Sequence, residues 1–153
     1  MRRLIAVLLV VILSVATFES CGRYENGPEI SLRSAKSRIV GEWHLADLLV
    51  NDKREQTLFD MESSSELTFN DDGTYLYNKV QSVKFPQELV GEWSFGEDKT
   101  ELLLIQRDSI NGDSERMYKI TRLSKDELWL VNGSEEYSGY DDLIERHFEK
   151  KQE

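Results

Sequence analysis

Apolar and polar residues alternate over much of the chain from residue 39 onward. Leu67 and Phe69 flank the polar Thr68, and residues 144–149 repeat the pattern as Ile-Glu-Arg-His-Phe-Glu. A period of two is typical of a strand with one buried and one solvated face. The pattern predicts eight strands, at residues 39–50, 65–70, 74–81, 91–95, 100–107, 115–123, 127–132 and 143–150. It predicts no long amphipathic helix.

The connections between these strands alternate in length. Short ones lie at residues 71–73, 96–99 and 124–126, and long ones lie at residues 51–64, 82–90, 108–114 and 133–142. In an up-and-down meander every second connection lies at the same end, so the long loops gather at one rim. Gly73 supplies the positive φ that the first tight turn needs. The sequence therefore predicts an all-β fold, an eight-stranded antiparallel up-and-down barrel whose closure removes free edges.

A five-residue motif occurs twice in the chain. It reads Ile-Val-Gly-Glu-Trp at the start of the first predicted strand and Leu-Val-Gly-Glu-Trp near the middle of the sequence. The shared positions are Gly41 and Trp43 in the first copy and Gly91 and Trp93 in the second. We interpret these four residues as structural.

This motif and the Asp-Gly-Thr-Tyr of residues 72–75 resemble the lipocalin-like families, over residues 36–150. Among these families, the chain resembles the lipocalin-like domains of bacterial lipoproteins, whose function is uncharacterised. The resemblance implies a small closed barrel, either hollow or filled. It also implies that an arginine of the last strand, here Arg146, lies across Trp43 as a structural plug. The alternative is that Arg146 is solvated at the end of the barrel.

The N-terminus has the pattern of an export signal. Met-Arg-Arg precedes an apolar run over residues 4–16, which is short for a membrane-spanning helix. Cys21, the only cysteine, follows Ser20, and this site is similar to a bacterial lipobox. We expect a signal peptide at residues 1–20, a lipidated Cys21 with a flexible tether at residues 21–36, and one domain at residues 37–153. The alternatives are a plain secretory signal and an uncleaved anchor helix.

A lipid such as palmitate on Cys21 would anchor the domain to a membrane of the cell envelope. We expect the outer membrane rather than the inner one, with the domain in the periplasm or at the cell surface. The formal net charge of −10 excludes nucleic acid as a partner, because an acidic surface repels phosphate backbones.

The sequence offers no catalytic constellation. His44 and His147 are the only histidines, and alternation places both on the outer face of the barrel. A pair of histidines lacks the further ligands that zinc takes, so we expect no metal and no cofactor. We expect no enzyme. A hydrolase that uses paired carboxylates is the third hypothesis, because acidic residues are plentiful but no spacing selects a pair.

Apolar and aromatic residues in the long loops are the candidate ligand-binding residues. Leu58, Phe59 and Met61 suit a lid, and Phe85, Tyr137 and Tyr140 lie in rim loops. The leading hypothesis is non-catalytic binding of a small apolar or amphipathic ligand, or of an envelope protein. The alternative is a structural or assembly-associated lipoprotein with a filled barrel and no ligand.

Overall fold

The computed structural model describes residues 24–27, 32–80, 86–107, 112–133 and 142–152. No helix in these ranges is long and apolar enough to cross a membrane. The elements of the described residues are helices α1 (Ala35–Ile39) and α2 (Gln56–Glu62) and strands β1 (Gly41–Val50), β2 (Lys53–Arg54), β3 (Glu66–Phe69), β4 (Thr74–Val80), β5 (Pro86–Phe95), β6 (Glu101–Gln106), β7 (Ser114–Leu123), β8 (Glu127–Gly133) and β9 (Leu143–Lys150).

In the described part of the chain, eight strands form a closed antiparallel barrel. Strand β1 pairs with β3, each later strand pairs with the next, and β9 returns to β1. The closing register runs from Trp43 opposite Lys150 to Val50 opposite Ile144. The two-residue β2 pairs with the end of β1 at Leu49 and Val50, which β3 leaves uncovered. The predicted barrel is confirmed.

The strand order separates the two ends of the barrel. The β3–β4, β5–β6 and β7–β8 turns lie at one end, the tight-turn end. Strands β1, β4, β6 and β8 end at the opposite end, the long-loop rim. The predicted alternation in length fails at one place, because the connection between β4 and β5 is as short as the one between β5 and β6. Gly73 has a φ of 90° in the β3–β4 turn, as its turn chemistry requires.

Several predicted boundaries are wrong, and the largest differences are at β5, α2 and β1. Residues 86–90 were expected in a loop but extend β5, with Pro86 opposite Val80 of β4. Proline is tolerated there because the first residue of a strand need not donate to the ladder. Residues 56–62, also expected in a loop, form α2, which is too short to show a helical period. The first strand begins at Gly41, two residues later than predicted.

Helix α1, which overlaps the end of the predicted tether and the start of the first predicted strand, closes the tight-turn end. Ser34 caps it by accepting a hydrogen bond from the Ser37 amide at 3.1 Å. Ile39 at its last turn is fully buried, and its carbonyl accepts a hydrogen bond from Trp43 Nε1 at 2.7 Å. Burial of each large apolar side chain here contributes roughly 1.5–3 kcal/mol. The core around them consists of Leu45, Leu48, Leu67, Phe69, Trp93, Leu102, Ile120, Leu123, Leu128 and Phe148.

The cation over Trp43 is Lys150 and not Arg146. Lys150 Nζ lies 4.9 Å from the Trp43 ring centroid and donates to the carbonyls of Arg38 at 2.9 Å and Val40 at 2.6 Å. Register explains the difference, since Trp43 is opposite Lys150 whereas Arg146 is opposite Leu48, deeper in the barrel. Burial lowers the pKa of the Lys150 ammonium from its ordinary value.

Residues 24–27, which fall in the predicted tether, pack against the outside of the barrel. Tyr24 is 5% exposed, and the Arg38 guanidinium lies 5.5 Å from its ring centroid. The Asn26 amide donates to the Thr121 carbonyl at 2.8 Å. Lys119 bonds Glu25 at 2.5 Å. The Tyr24 ring and the hydrogen bond to the Thr121 carbonyl thus fix residues 24–27 on the barrel. The polar composition of this segment had predicted a flexible tether instead.

Candidate functional site

The barrel interior becomes polar toward the long-loop rim. Strand alternation turns Tyr75 and Tyr77 of β4, Gln106 of β6, and Arg116 and Tyr118 of β7 inward. These side chains, with Leu89 and Leu104, line a cavity of about 20 Å³, here called the rim cavity. A volume of that size holds about one water molecule or one polar ligand atom.

Gly91 shapes one wall of this region. A Cβ at this position would lie 2.0 Å from the carbonyl oxygen of Ile105 and 2.8 Å from the Tyr75 ring. Only glycine permits so close an approach of β5 to β6. The close approach of the two strands therefore explains the glycine in the second copy of the motif. Trp93 of the same copy packs edge-to-face on Phe69, with 5.5 Å between the ring centroids.

Helix α2 is joined to the interior by a buried ion pair. Glu62, 4% exposed, accepts hydrogen bonds from Arg146 Nε at 2.9 Å and from Arg146 Nη2 at 3.2 Å. Arg146 Nη1 donates to Asn132 Oδ1 at 3.0 Å. A bidentate guanidinium–carboxylate pair fixes orientation as well as charge. The end of α2 is thereby joined to β9, whose Arg146 is in turn bonded to Asn132 of β8.

The Glu62 carboxylate also governs the charge state of Arg146. Burial alone would lower the pKa of this guanidinium. The hydrogen bonds and negative charge of Glu62 outweigh that effect and raise the pKa above its ordinary value. Arg146 therefore stays charged, and the pair as a whole is neutral.

The Tyr77 hydroxyl is buried and has no hydrogen-bond partner in the described part of the chain. The Ser65 side chain lies near this hydroxyl and acts to lower its pKa. An unsatisfied buried hydroxyl costs about 1–3 kcal/mol. Burial raises the pKa of Tyr77 well above its ordinary value, and the nearby Arg146 charge only partly opposes this. Tyr77 is therefore neutral at ordinary pH and is one of the residues that line the rim cavity.

Tyr75 shares this environment. Burial raises the pKa of its hydroxyl, the neighbouring Tyr118 raises it further, and the positive charge of Arg116 acts in the opposite direction. These effects place Tyr75, Tyr118 and Arg116 within electrostatic reach of one another around the rim cavity.

The structure places three of the predicted ligand-binding residues on α2. Leu58 and Phe59 are partly buried against the core, and Arg54 lies 5.3 Å from the Phe59 ring centroid. Met61 is 50% exposed and points away from the core. Phe85, Tyr137, Tyr140 and the lipidation candidate Cys21 lie outside the described residues.

The polar lining of the rim cavity was missed at the level of sequence. None of Tyr75, Tyr77, Tyr118 and Arg116 is among the candidate ligand-binding residues that the sequence suggests. A signal was present, because Arg116 is two residues before Tyr118 and four before the inward Ile120. A charged residue on the inward face of a strand indicates a polar interior.

The histidines lie on the outer surface, as alternation predicts, but in different settings. His44 is 3.7 Å from Glu149, whereas the His147 ring stacks on Trp129 at 3.9 Å and 9°. Within the described ranges, no group of three or more His, Cys, Asp or Glu side chains could hold a metal ion. Glu62 is the only buried carboxylate there. The described residues thus give no support to a buried pair of catalytic carboxylates.

Comparisons with solved structures find several similar chains. A lipocalin-like protein from Bacteroides uniformis matches with 19% identity and a TM-score of 0.51, over 74% of this chain and 99% of the other. An uncharacterized protein from Bacteroides eggerthii matches with 16% identity and a TM-score of 0.48, over 74% and 99%. Bovine odorant binding protein, in complex with a selenium-containing odorant, matches with 16% identity and a TM-score of 0.49, over 82% and 78%.

A comparison with curated proteins finds no match. The sequence profile of the lipocalin-like domain matches residues 39–130, which run from the last turn of α1 into β8. That span is more than half of the chain and contains both copies of the Gly-Glu-Trp motif. The chain therefore belongs to the lipocalin-like domain family.

Proposed function

We propose that this protein binds a small molecule at the long-loop rim of its barrel and does not catalyse a reaction on it. The observation that carries the proposal is the rim cavity, where the Tyr77 hydroxyl is buried without a hydrogen-bond partner among the described residues. Buried polar groups are nearly always satisfied, so each exception calls for an explanation. A ligand atom that accepts a hydrogen bond from Tyr77 supplies one.

The ligand enters from the long-loop rim. The tight-turn end is filled by Ile39, Trp43, Phe69 and Phe148, all buried. Helix α2 lies at the rim and contacts β1 and β4. The Glu62–Arg146 ion pair would keep the C-terminal end of α2 in place. The preceding turn of the helix would move away from the barrel to admit a ligand larger than the rim cavity.

The second candidate is a structural envelope protein with a filled barrel and no ligand. The small volume of the rim cavity, about 20 Å³, favours it. Native mass spectrometry of the purified protein separates the two functions. The binding function predicts a non-covalent adduct, either retained from the cell or formed with added amphipathic molecules. A protein that stays bare through both treatments would leave the structural role as the better account.

We also propose that the protein is exported and anchored to an envelope membrane through a lipid on Cys21. Only Gly22 and Arg23 separate Cys21 from the packed Tyr24, so a chain of roughly 10 Å joins lipid and barrel. Tyr24 contacts Arg38 beside the tight-turn end, where Arg38 Nη1 donates to the Leu123 carbonyl at 2.7 Å. The long-loop rim would then face away from the membrane.

Metabolic labelling with a palmitate analogue tests the anchor. The wild-type chain should carry the label and fractionate with membranes, with the outer membrane expected over the inner. The Cys21→Ser variant should lose both properties, and a Ser20→Ala variant serves as the matched control because it leaves the cysteine in place. Labelling of Cys21→Ser to the wild-type level would contradict the proposal.

A further inference from the structure

We infer that one side of the tight-turn end docks on the anionic surface of the membrane that holds the protein, an inference that rests on the proposed anchor. This docking face consists of Leu32, Arg33, Lys125 and Lys150. They belong to the segment before α1, to the β7–β8 turn and to the end of β9. The inference gives the domain a partner of defined chemistry, anionic lipid headgroups, whereas the anchor by itself specifies only a tether.

Hydrogen bonds bring the elements of the docking face together. The Lys150 amide donates to the Asp126 carbonyl at 2.9 Å, which joins the end of β9 to the β7–β8 turn. The Lys150 ammonium donates to the carbonyls of Arg38 and Val40, so it lies against the C-terminal end of α1. Arg38 Nη1 in turn donates to the carbonyl of Leu123, the last residue of β7. The cations of the docking face are therefore held around α1 by the fold itself.

The charge of the docking face is opposite in sign to that of the whole chain. Arg33 and Lys125 as cations, and Asp126 as an anion, act electrostatically on the Lys150 ammonium. Three positive charges and one negative charge sum to +2, in a chain whose formal net charge is −10. The potential outside a protein follows the sum of the nearby charges, whether or not each of them has a partner. This local excess attracts an anionic lipid surface.

The tether determines which charges meet the membrane. Tyr24 is buried beside Arg38, and only residues 22–23 separate it from Cys21, so the tether leaves the barrel next to α1. The acidic turns at residues 70–73 and 96–99 belong to other strand pairs. Charges farther from the bilayer than a screening length of about 8 Å contribute little at physiological ionic strength. The acidic remainder of the chain therefore does not prevent this side from docking.

Leu32 gives the docking face an apolar side chain. It is fully exposed and immediately precedes Arg33, so it has no part in the core of the described structure. An apolar side chain beside cations is the composition of surfaces that bind at the interface of a membrane. Insertion of Leu32 among the lipids would remove apolar surface from water while the cations stay at the headgroups.

Fluorescence of the labelled full chain, reconstituted with vesicles, tests the docking face. The vesicles consist of phosphatidylcholine with or without phosphatidylglycerol, which is anionic. The fluorophore NBD is attached to Ser37→Cys, an exposed position of α1, or to Met61→Cys, an exposed position of α2 at the long-loop rim. The wild-type chain is the blank, because its only cysteine is Cys21. We expect a blue shift of the emission at residue 37 with phosphatidylglycerol only, its loss in high salt, and no shift at residue 61.

Two double variants separate the docking face from the total charge of the chain. Arg33→Gln with Lys125→Gln should lose more than half of the blue shift at residue 37. Lys53→Gln with Arg107→Gln is the matched control, because it removes two positive charges at the long-loop rim and should keep the shift. Leu32→Ser, which leaves every charge in place, should lose a smaller part of the shift. Circular dichroism confirms that each variant is folded.

The outcomes distinguish the docking face from the anchor. A chain that stays with both kinds of vesicle but shows no shift at residue 37, or the same shift on neutral vesicles, overturns the docking face and leaves the anchor standing. A shift that survives in Arg33→Gln with Lys125→Gln does the same. A chain that shows the expected shifts but carries no palmitate label contradicts the lipid on Cys21 and supports the docking face. A chain that stays with neither kind of vesicle overturns both.

Discussion

The two halves of the barrel interior are built on the same strands but from different side chains. At the tight-turn end, Trp43 and Phe69 are almost fully buried, and both indole N–H groups there have partners: Trp43 donates to Ile39 and Trp93 donates to Asn70 at 3.0 Å. At the long-loop rim the inward positions hold tyrosine, arginine and glutamine around the rim cavity. One half is filled mainly by apolar side chains, and the other has polar side chains around a cavity.

The difference indicates a division between stability and recognition. Apolar burial with satisfied donors stabilises the fold, whereas partly satisfied polar groups cost free energy unless a ligand completes them. Sites of binding are often less stable than the scaffold that supports them. Substitutions in the two halves should therefore change the free energy of unfolding by different amounts and in opposite directions. Only those at the long-loop rim should change the affinity for a ligand.

Trp43→Ala should have the largest effect on stability. The substitution removes a fully buried indole, its hydrogen bond to Ile39 and its contact with Lys150. We expect the free energy of unfolding, measured by urea denaturation, to fall by about 3–5 kcal/mol. Met117→Ala, at an outward position of β7 that is 51% exposed, should change it by less than about 0.5 kcal/mol. A loss below 1 kcal/mol for Trp43→Ala would mean that the tight-turn end is not the main core.

Glu62→Gln should come next, because it leaves Arg146 charged and buried with a weaker partner. We expect a loss of about 3 kcal/mol in the free energy of unfolding. This is the low end of the range for buried ion pairs that lose one partner, because the glutamine side chain keeps one hydrogen-bond acceptor for Arg146. The control is Glu66→Gln, which removes an exposed pair with Lys151 and should cost less than about 1 kcal/mol.

The double variant Glu62→Leu with Arg146→Leu sharpens this prediction. It removes both charges together, so its cost should be well below the sum of the two single substitutions. A simple sum would indicate that the two residues act independently, and the ion pair would then not be what holds α2 to the barrel.

The tight-turn half could be predicted from sequence and the long-loop half could not. Alternation, the repeated Gly-Glu-Trp motif and the short turns are local signals, and they predicted the barrel and the place of Trp43. The partner of Glu62 depends on a helix of seven residues folding onto a strand more than 80 positions away. Local patterns carry no information on such a contact. The resemblance identified the last strand as the source of the cation at Trp43, but the register that selects Lys150 requires coordinates.

Gly91→Ala tests the boundary between the two halves, because Gly91 is opposite Tyr75 on one side and Gln106 on the other. Its new Cβ would collide with the Ile105 carbonyl, which belongs to a backbone that cannot rotate away. We expect a loss of about 1–3 kcal/mol in the free energy of unfolding, as for other overpacked sites. The matched control is Gly96→Ala, because neither glycine has a positive φ and a Cβ at Gly96 would meet only the Glu101 side chain, at 3.1 Å, and no backbone atom. Equal losses in the two variants would show that the close approach of the Ile105 carbonyl is not what requires glycine at position 91.

Tyr77→Phe should have the smallest effect at neutral pH, and with the opposite sign. Removing a buried hydroxyl that has no partner among the described residues should raise the free energy of unfolding by about 1 kcal/mol while ligand binding weakens.

The Tyr77→Phe variant should also change how the free energy of unfolding depends on pH above about pH 10. Burial raises the pKa of Tyr77 in the folded state, so the unfolded chain ionises first once the pH exceeds its ordinary value of 10.0. The wild-type protein should therefore lose stability above about pH 10, and the variant should lose less, with a residual slope from Tyr75, whose pKa is also raised. Urea denaturation at pH 7 and at several values above pH 10 measures both effects. A variant that is destabilised at pH 7 and keeps the wild-type slope would mean that the hydroxyl is satisfied within the fold, and the long-loop half would then be as complete without a ligand as the tight-turn half.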